Sequence, residues 1–116
     1  MEKRTAILID PYNREVKEIQ IDKISQSLKP LHEYIFPKDR DIPMRNTVER
    51  STWTFDSCNI WLDENGLANN QIPFKIIGNH GWEMFVGPAV ITGNDGRPLP
   101  KKITADHVRR SVQFVV

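Results

Sequence analysis

Thr5-Ala6-Ile7-Leu8-Ile9-Asp10-Pro11-Tyr12-Asn13-Arg14-Glu15-Val16-Lys17-Glu18-Ile19-Gln20-Ile21 is the stretch whose reading decides the fold. An apolar run with the look of a buried strand, Ala6 to Ile9, meets a Pro-Tyr-Asn turn. Val16, Ile19 and Ile21 then stand against charged neighbours, as in a strictly alternating strand. Two such runs around a turn-forming group predict a β-hairpin at the start of a single domain.

Beyond the hairpin, Asp22 is placed to cap a helix, because its carboxylate can accept from free backbone amides and its charge suits a helix N-terminus. Ile24, Leu28, Leu31 and Ile35 recur at helical spacing and predict one amphipathic face. Pro30 falls inside that pattern. It lacks an amide hydrogen and disfavours helix at Lys29, so the helix is expected to break or kink there. Residues 37–50 carry charges, two prolines and little periodicity, which reads as a loop with a positive bias from Lys38, Arg40, Arg45 and Arg50.

Strand character returns at Trp53 and Phe55, which alternate with threonines, and at Asn59-Ile60-Trp61-Leu62. Asp63-Glu64-Asn65-Gly66 is a turn signal, since Asn and Gly tolerate left-handed backbone. Leu67 to Gln71 reads as a loop or a single helical turn, Pro73 to Ile77 as a short strand, and Gly78-Asn79-His80-Gly81 as a second turn. Trp82 to Thr92 is the longest apolar stretch, and Gly87-Pro88 in its middle predicts a bulge, bend or edge. Gly93-Asn94-Asp95-Gly96 is a third turn. Thr104 can cap a short helix with Asp106 in its first turn, and Val112 to Val116 has strand composition. Residues 1–116 thus read as one α+β domain. It has a mostly antiparallel sheet, one packed helix that breaks or kinks at Pro30, and a short C-terminal helix. Ile7, Ile9, Val16, Ile19, Ile21, Leu28, Leu31, Leu62, Phe85, Val90 and Phe114 are the expected core.

The chain has 116 residues, enough for a single core without covalent staples. Apolar residues make up 39% and charged residues 27%, as in a globular domain with sizeable loops. A net charge of +1 argues against avid non-specific binding to nucleic acid, which rests on many neutralised phosphates. The lone Cys58 removes an intramolecular disulfide and every cysteine-rich zinc pattern, and reads as a small half-buried thiol in a strand. Neither a signal peptide nor a run of membrane-spanning length is visible, so a cytoplasmic protein without membrane contact is expected.

Chemistry is sparse. The two acidic turns lack the alternating acid series of a twelve-residue calcium loop, and no metal is expected. His32, His80 and His107 are scattered without ligand spacing. Gly78 to Gly81 is not followed by the Lys-Ser or Lys-Thr of a phosphate-binding loop, and no Gly-x-Ser-x-Gly elbow occurs. No cofactor and no catalytic residue are assigned. A small-ligand site, if the chain has one, would use His80, Asp63 and Glu64. Basic residues interleaved with aromatics are the composition of a single-strand-binding surface. Here they equally describe a solvated surface around a small β-core. An exposed tryptophan, with Trp61 the candidate, would mark a partner interface.

Ala6-Ile7-Leu8-Ile9-Asp10-Pro11, Trp61-Leu62-Asp63-Glu64-Asn65-Gly66-Leu67 and Gly87-Pro88-Ala89-Val90-Ile91-Thr92-Gly93, taken in order, resemble a domain of unknown function common in bacteriophages and mobile elements. The resemblance spans residues 5–96; the loop at 38–50 and the end of the chain after Gly96 depart from it. It implies a small α+β domain and supplies no activity or catalytic residue. The expectation drawn is a non-enzymatic phage or mobile-element accessory protein that binds another protein and could antagonise a host factor. The alternative is a nucleic-acid binder using the 38–50 loop and the basic C-terminal residues. Arg40, Arg45, Arg50, Trp61, Lys101, Lys102, Arg109 and Arg110 are the candidate partner-binding residues under either reading. An apolar terminal strand at Val112 to Val116 could also pair two copies into a homodimer.

Overall fold

The structure is a computed structural model that describes residues 2–24, 27–45 and 47–115. Its strands are β1 (Lys3–Asp10), β2 (Glu15–Asp22), β3 (Val48–Arg50), β4 (Asn59–Asp63), β5 (Pro73–Gly78), β6 (Gly81–Val86), β7 (Ala89–Thr92) and β8 (Val112–Phe114). Two short helices, α1 (Lys29–Ile35) and α2 (Ala105–Arg109), accompany them. The strands form two antiparallel sheets, one in the order β2-β1-β7-β4-β3 and one in the order β6-β5-β8.

The opening hairpin forms as expected, with Ile9 opposite Val16 and Arg4 opposite Ile21. Its second strand is not strictly alternating, however. Val16 lies an odd number of residues from Ile19 and Ile21, so it faces the other side of the sheet. Val16 packs with Ile7, Ile9, Ile60 and Ile91, whereas Ile19 and Ile21 pack with Ala6, Leu8 and Val90. The large sheet is therefore covered on both faces, which is why Ala6 to Ile9 is buried without a break.

One face is covered by α1 through Leu31 and Ile35, with Phe36 and Ile42 beside them. This helix differs from the expected one. Pro30 sits in its first turn, where a missing amide hydrogen costs nothing, so the proline starts the helix rather than breaking it. Asp22 is not a cap: it ends β2 and pairs with Lys3 at 2.7 Å. Ile24 and Leu28 pack against the cluster from outside the helix; residues 25 and 26 of the expected helix lie outside the described residues.

The other face carries the small sheet and α2. Phe74, Ile76 and Phe85 meet Ile7, Ile60, Leu62 and Ile91, and Val108 of α2 closes the same cluster. Thr104 caps α2 as expected, its hydroxyl accepting from the His107 amide at 3.1 Å. Trp53 and Phe55 do not form a strand. Trp53 lies in a bend and Phe55 in an isolated bridge to Cys58 just ahead of β4, and Phe55 is buried while Trp53 packs on the core edge. The last residues of the expected 38–50 loop form β3, whose Val48 is buried. Trp82 to Thr92 is two strands in two sheets. Gly87, at φ +99°, makes the turn between β6 and β7, a backbone conformation that side-chain-bearing residues rarely adopt. Of the expected core, Leu28 and Phe114 are only partly buried and the rest are buried.

Candidate functional site

Two surfaces stand out, one apolar and one cationic. The apolar surface is the outer face of β6-β5-β8. Along these strands Phe74, Ile76, Phe85, Val112 and Phe114 turn inward to the core, so the alternate residues turn outward. Trp82 and Ile77 are register partners there, and Met84, Lys75 and Gln113 form the neighbouring row. Trp82 is 53% exposed and Met84 52%, values far from those of packed side chains, and no element among the described residues covers them. Ile77 and Val115 extend the apolar surface. β6 and β8 are the edges of this sheet, each hydrogen-bonded to β5 on one side only.

The cationic surface is a cleft of about 190 Å³ at one end of the large sheet, on the face that α1 covers. With seven residues, α1 is roughly 10 Å long, whereas an eight-residue strand such as β1 runs roughly 27 Å, so one end of the sheet is left open. Register places Arg4 beside Ile21, Arg50 beside Trp61, and Asn59 beside Thr92 at that open end. Lys23, Asp95 and Arg97 complete the walls. The Trp61 indole is held in place by donating from Nε1 to Thr92 Oγ1 at 2.8 Å. Arg4 donates from Nη1 to Glu2, which also lies 3.8 Å from Lys23. Arg4 and, to a smaller extent, Lys23 hold the Glu2 carboxyl below its ordinary range. Arg4 Nε is buried and has no hydrogen-bond partner among the described residues. Arg50 and Arg97 make no ion pair among the described residues.

Of the expected partner-binding residues, Arg50 and Trp61 come together in this cleft. Arg45 is committed to the loop itself. Its guanidinium donates to the carbonyls of Phe36 at 2.9 Å and Pro37 at 3.0 Å, and to that of Arg40. Arg40 lies over the Tyr12 ring, 4.5 Å from its centre. Arg109 donates to Asp106 and, at 2.6 Å, to the Val16 carbonyl, tying α2 to β2. Lys101 and Lys102, ahead of α2, and Arg110, just after it, are exposed.

Asp63, Glu64 and His80 form no common site. Asp63 is buried, and both its carboxylate oxygens accept hydrogen bonds, Oδ2 from Asn69 and Gln71 and Oδ1 from the Asn65 amide, each at 2.8 Å. It is a structural acceptor at the end of β4. His80 sits at the tip of the β5–β6 hairpin, roughly 20 Å of extended chain beyond the strand start next to Gln71, at about 3.3 Å per residue. The three histidines are dispersed over separate elements: His32 packs on Phe36 in α1, and His107 Nε2 lies 2.8 Å from Asp56 Oδ2. Among the described residues no three His, Cys, Asp or Glu side chains are grouped to hold a metal ion, and no helix is long and apolar enough to cross a membrane.

Arg4, Lys23, Trp82 and Met84 belong to these two surfaces and are not among the residues expected from sequence to contact a partner. Alternation in Trp82-Glu83-Met84-Phe85 was a usable signal that one of the two sets faces out. Arg4 and Lys23 carried none, because their meeting with Arg50 and Arg97 depends on β7 and β4 lying between distant segments. Compared with known protein families, with curated proteins and with solved structures, the chain matches none.

Proposed function

We propose that this chain is a non-enzymatic accessory protein that acts by binding another protein through the outer face of β6-β5-β8. The observation that carries this reading is the pair Trp82 and Met84, two large apolar side chains more than half exposed on one sheet face. Exposed apolar groups of this size gain the most from being covered by a partner, and tryptophan is enriched among the residues that dominate interface energy. The unpaired main-chain groups of β6 and β8 add a means of holding an extended partner segment by strand addition. A homodimer through β8 is a special case of that pairing, and a monomeric mass for the full chain in light scattering removes it. The motif order that resembles the phage and mobile-element family fits an accessory role of this kind.

The test is an affinity capture from bacterial lysate with the tagged chain, washed with and without nuclease, beside the double variant Trp82→Ser, Met84→Ser. A discrete protein that survives nuclease and is lost with the variant supports the reading. Capture of protein only while nucleic acid is intact, or capture unaffected by the variant, overturns it.

A further inference from the structure

We infer that the cleft between Arg4, Arg50 and Arg97 is a binding site for the phosphate group of a phosphorylated small molecule. Four cationic side chains line it, Arg4, Lys23, Arg50 and Arg97, against a single lining acid, Asp95. Glu2 pairs with Arg4 and Lys23, and Arg50 and Arg97 make no ion pair among the described residues. Like charges gathered on one concavity repel each other, and an anion placed among them relieves that repulsion while gaining charge-assisted hydrogen bonds.

Arg4 lies on the cleft wall beside Arg50 and Arg97, and guanidinium groups bind phosphate with a geometry that no single ammonium matches.

Size and shape narrow the ligand. About 190 Å³ is below the roughly 300–1,000 Å³ of pockets that enclose an entire drug-sized ligand, so the cleft takes the phosphate and leaves the rest of the molecule at its mouth. Trp61 forms part of the wall, its ring fixed by the hydrogen bond to Thr92. A purine or pyrimidine base would stack there; a sugar alone would not gain as much.

The full chain, isotope-labelled and followed by amide NMR at low salt, is titrated separately with inorganic phosphate, adenosine monophosphate, a ribose phosphate and a short unphosphorylated oligonucleotide. Inorganic phosphate and both esters are expected to shift the amides of Arg4, Thr5, Arg50 and Arg97. Arg4→Gln and Arg50→Gln each should weaken binding about tenfold or more, while Lys17→Gln, remote on β2, should not. Arg50→Gln lies on an exposed edge strand, so it keeps the test valid if Arg4→Gln disturbs the hairpin. Tighter binding of the nucleotide with a shift of the Trp61 indole assigns the base to that ring, and equal binding of both esters assigns the site to the phosphate alone. Absence of saturable shifts in the cleft, shifts unchanged by both arginine variants, or binding of the oligonucleotide only would overturn the inference.

Discussion

Gln71 Nε2 donates to Asp63 Oδ2 at 2.8 Å and reaches the Ile35 carbonyl at 3.2 Å, so one carboxamide ties the end of β4 to the end of α1. Asn69 donates to the same carboxylate oxygen while exchanging hydrogen bonds with the Met44 backbone, and the Tyr12 hydroxyl donates to Gln71 Oε1 at 2.8 Å. Four separated segments therefore meet on one buried acid. Asp63→Ala takes the acceptor from the Asn65 amide and from one N–H each of Asn69 and Gln71, and the expected loss is about 2–3 kcal/mol of stability, since buried unsatisfied donors retain their full desolvation cost. The midpoint of urea unfolding measures it; a change below about 0.5 kcal/mol, the range of ordinary surface substitutions, would refute the hub.

Gly87 connects the two sheets beside that hub. At φ +99°, it adopts a backbone conformation open to glycine, and a Cβ there would lie 3.1 Å from Gln71 Cδ and Nε2. Gly87→Ala is expected to cost about 1–3 kcal/mol through backbone strain. Because the added methyl presses on Gln71, the cost should not add independently to that of Asp63→Ala. A double-variant cycle that closes to zero would show that Gly87 and the Asp63 hub are uncoupled.

The comparison of Val16 with Ile19 explains how far local pattern reaches in this chain. Both are apolar residues in one strand, and the strand itself is readable from the turn and the β-branched composition. Which face each serves depends on a second covering layer, and nothing in β2 alone says that layer exists. Pro30 is similar: the residue is a boundary marker by its covalent structure, but whether it ends or begins a helix rests on what Leu31 and Ile35 pack against. Thr104, Gly87 and the hairpin turns are local devices and are legible as such. The cleft is not, because Arg4, Arg50 and Arg97 meet only through a strand order that brings β7 between β1 and β4.

Trp82 and Met84 should be dispensable for folding. Replacing both by Ser is expected to shift stability by no more than about 0.5 kcal/mol per site, as for other exposed positions. Phe85 lies between them and the core, with its ring 5.7 Å from Trp53 and 5.9 Å from Phe74. Phe85→Ala should cost about 3–5 kcal/mol, the usual cost of emptying a buried aromatic site. Chemical unfolding of the two variants side by side measures the contrast, and a large loss on Trp82→Ser would mean that this ring packs on the fold and does not stand ready for a partner.

Cys58 makes an alkaline prediction. The thiol is buried in the cluster formed by both sheets, and its weak donor reaches the Asp56 carbonyl at 3.7 Å. Burial pushes the thiol above its ordinary value of 9.0; the nearby Asp56 charge adds to that, and Lys102 opposes it. A thiol whose folded value is raised contributes stability that is present below the unfolded value and lost as pH climbs through the folded one. The melting temperature should therefore fall as pH rises past 9.0, and the fall should be shallower in Cys58→Ala. Part of the loss should persist in that variant, because burial also raises the Tyr12 hydroxyl and acts in the same direction. In the native state near neutral pH, the same burial should make Cys58 react with a disulfide reagent far more slowly than the denatured chain does, since the thiolate is the attacking species. Equal rates folded and unfolded would mean that the thiol is open to solvent and that the alkaline loss has another source.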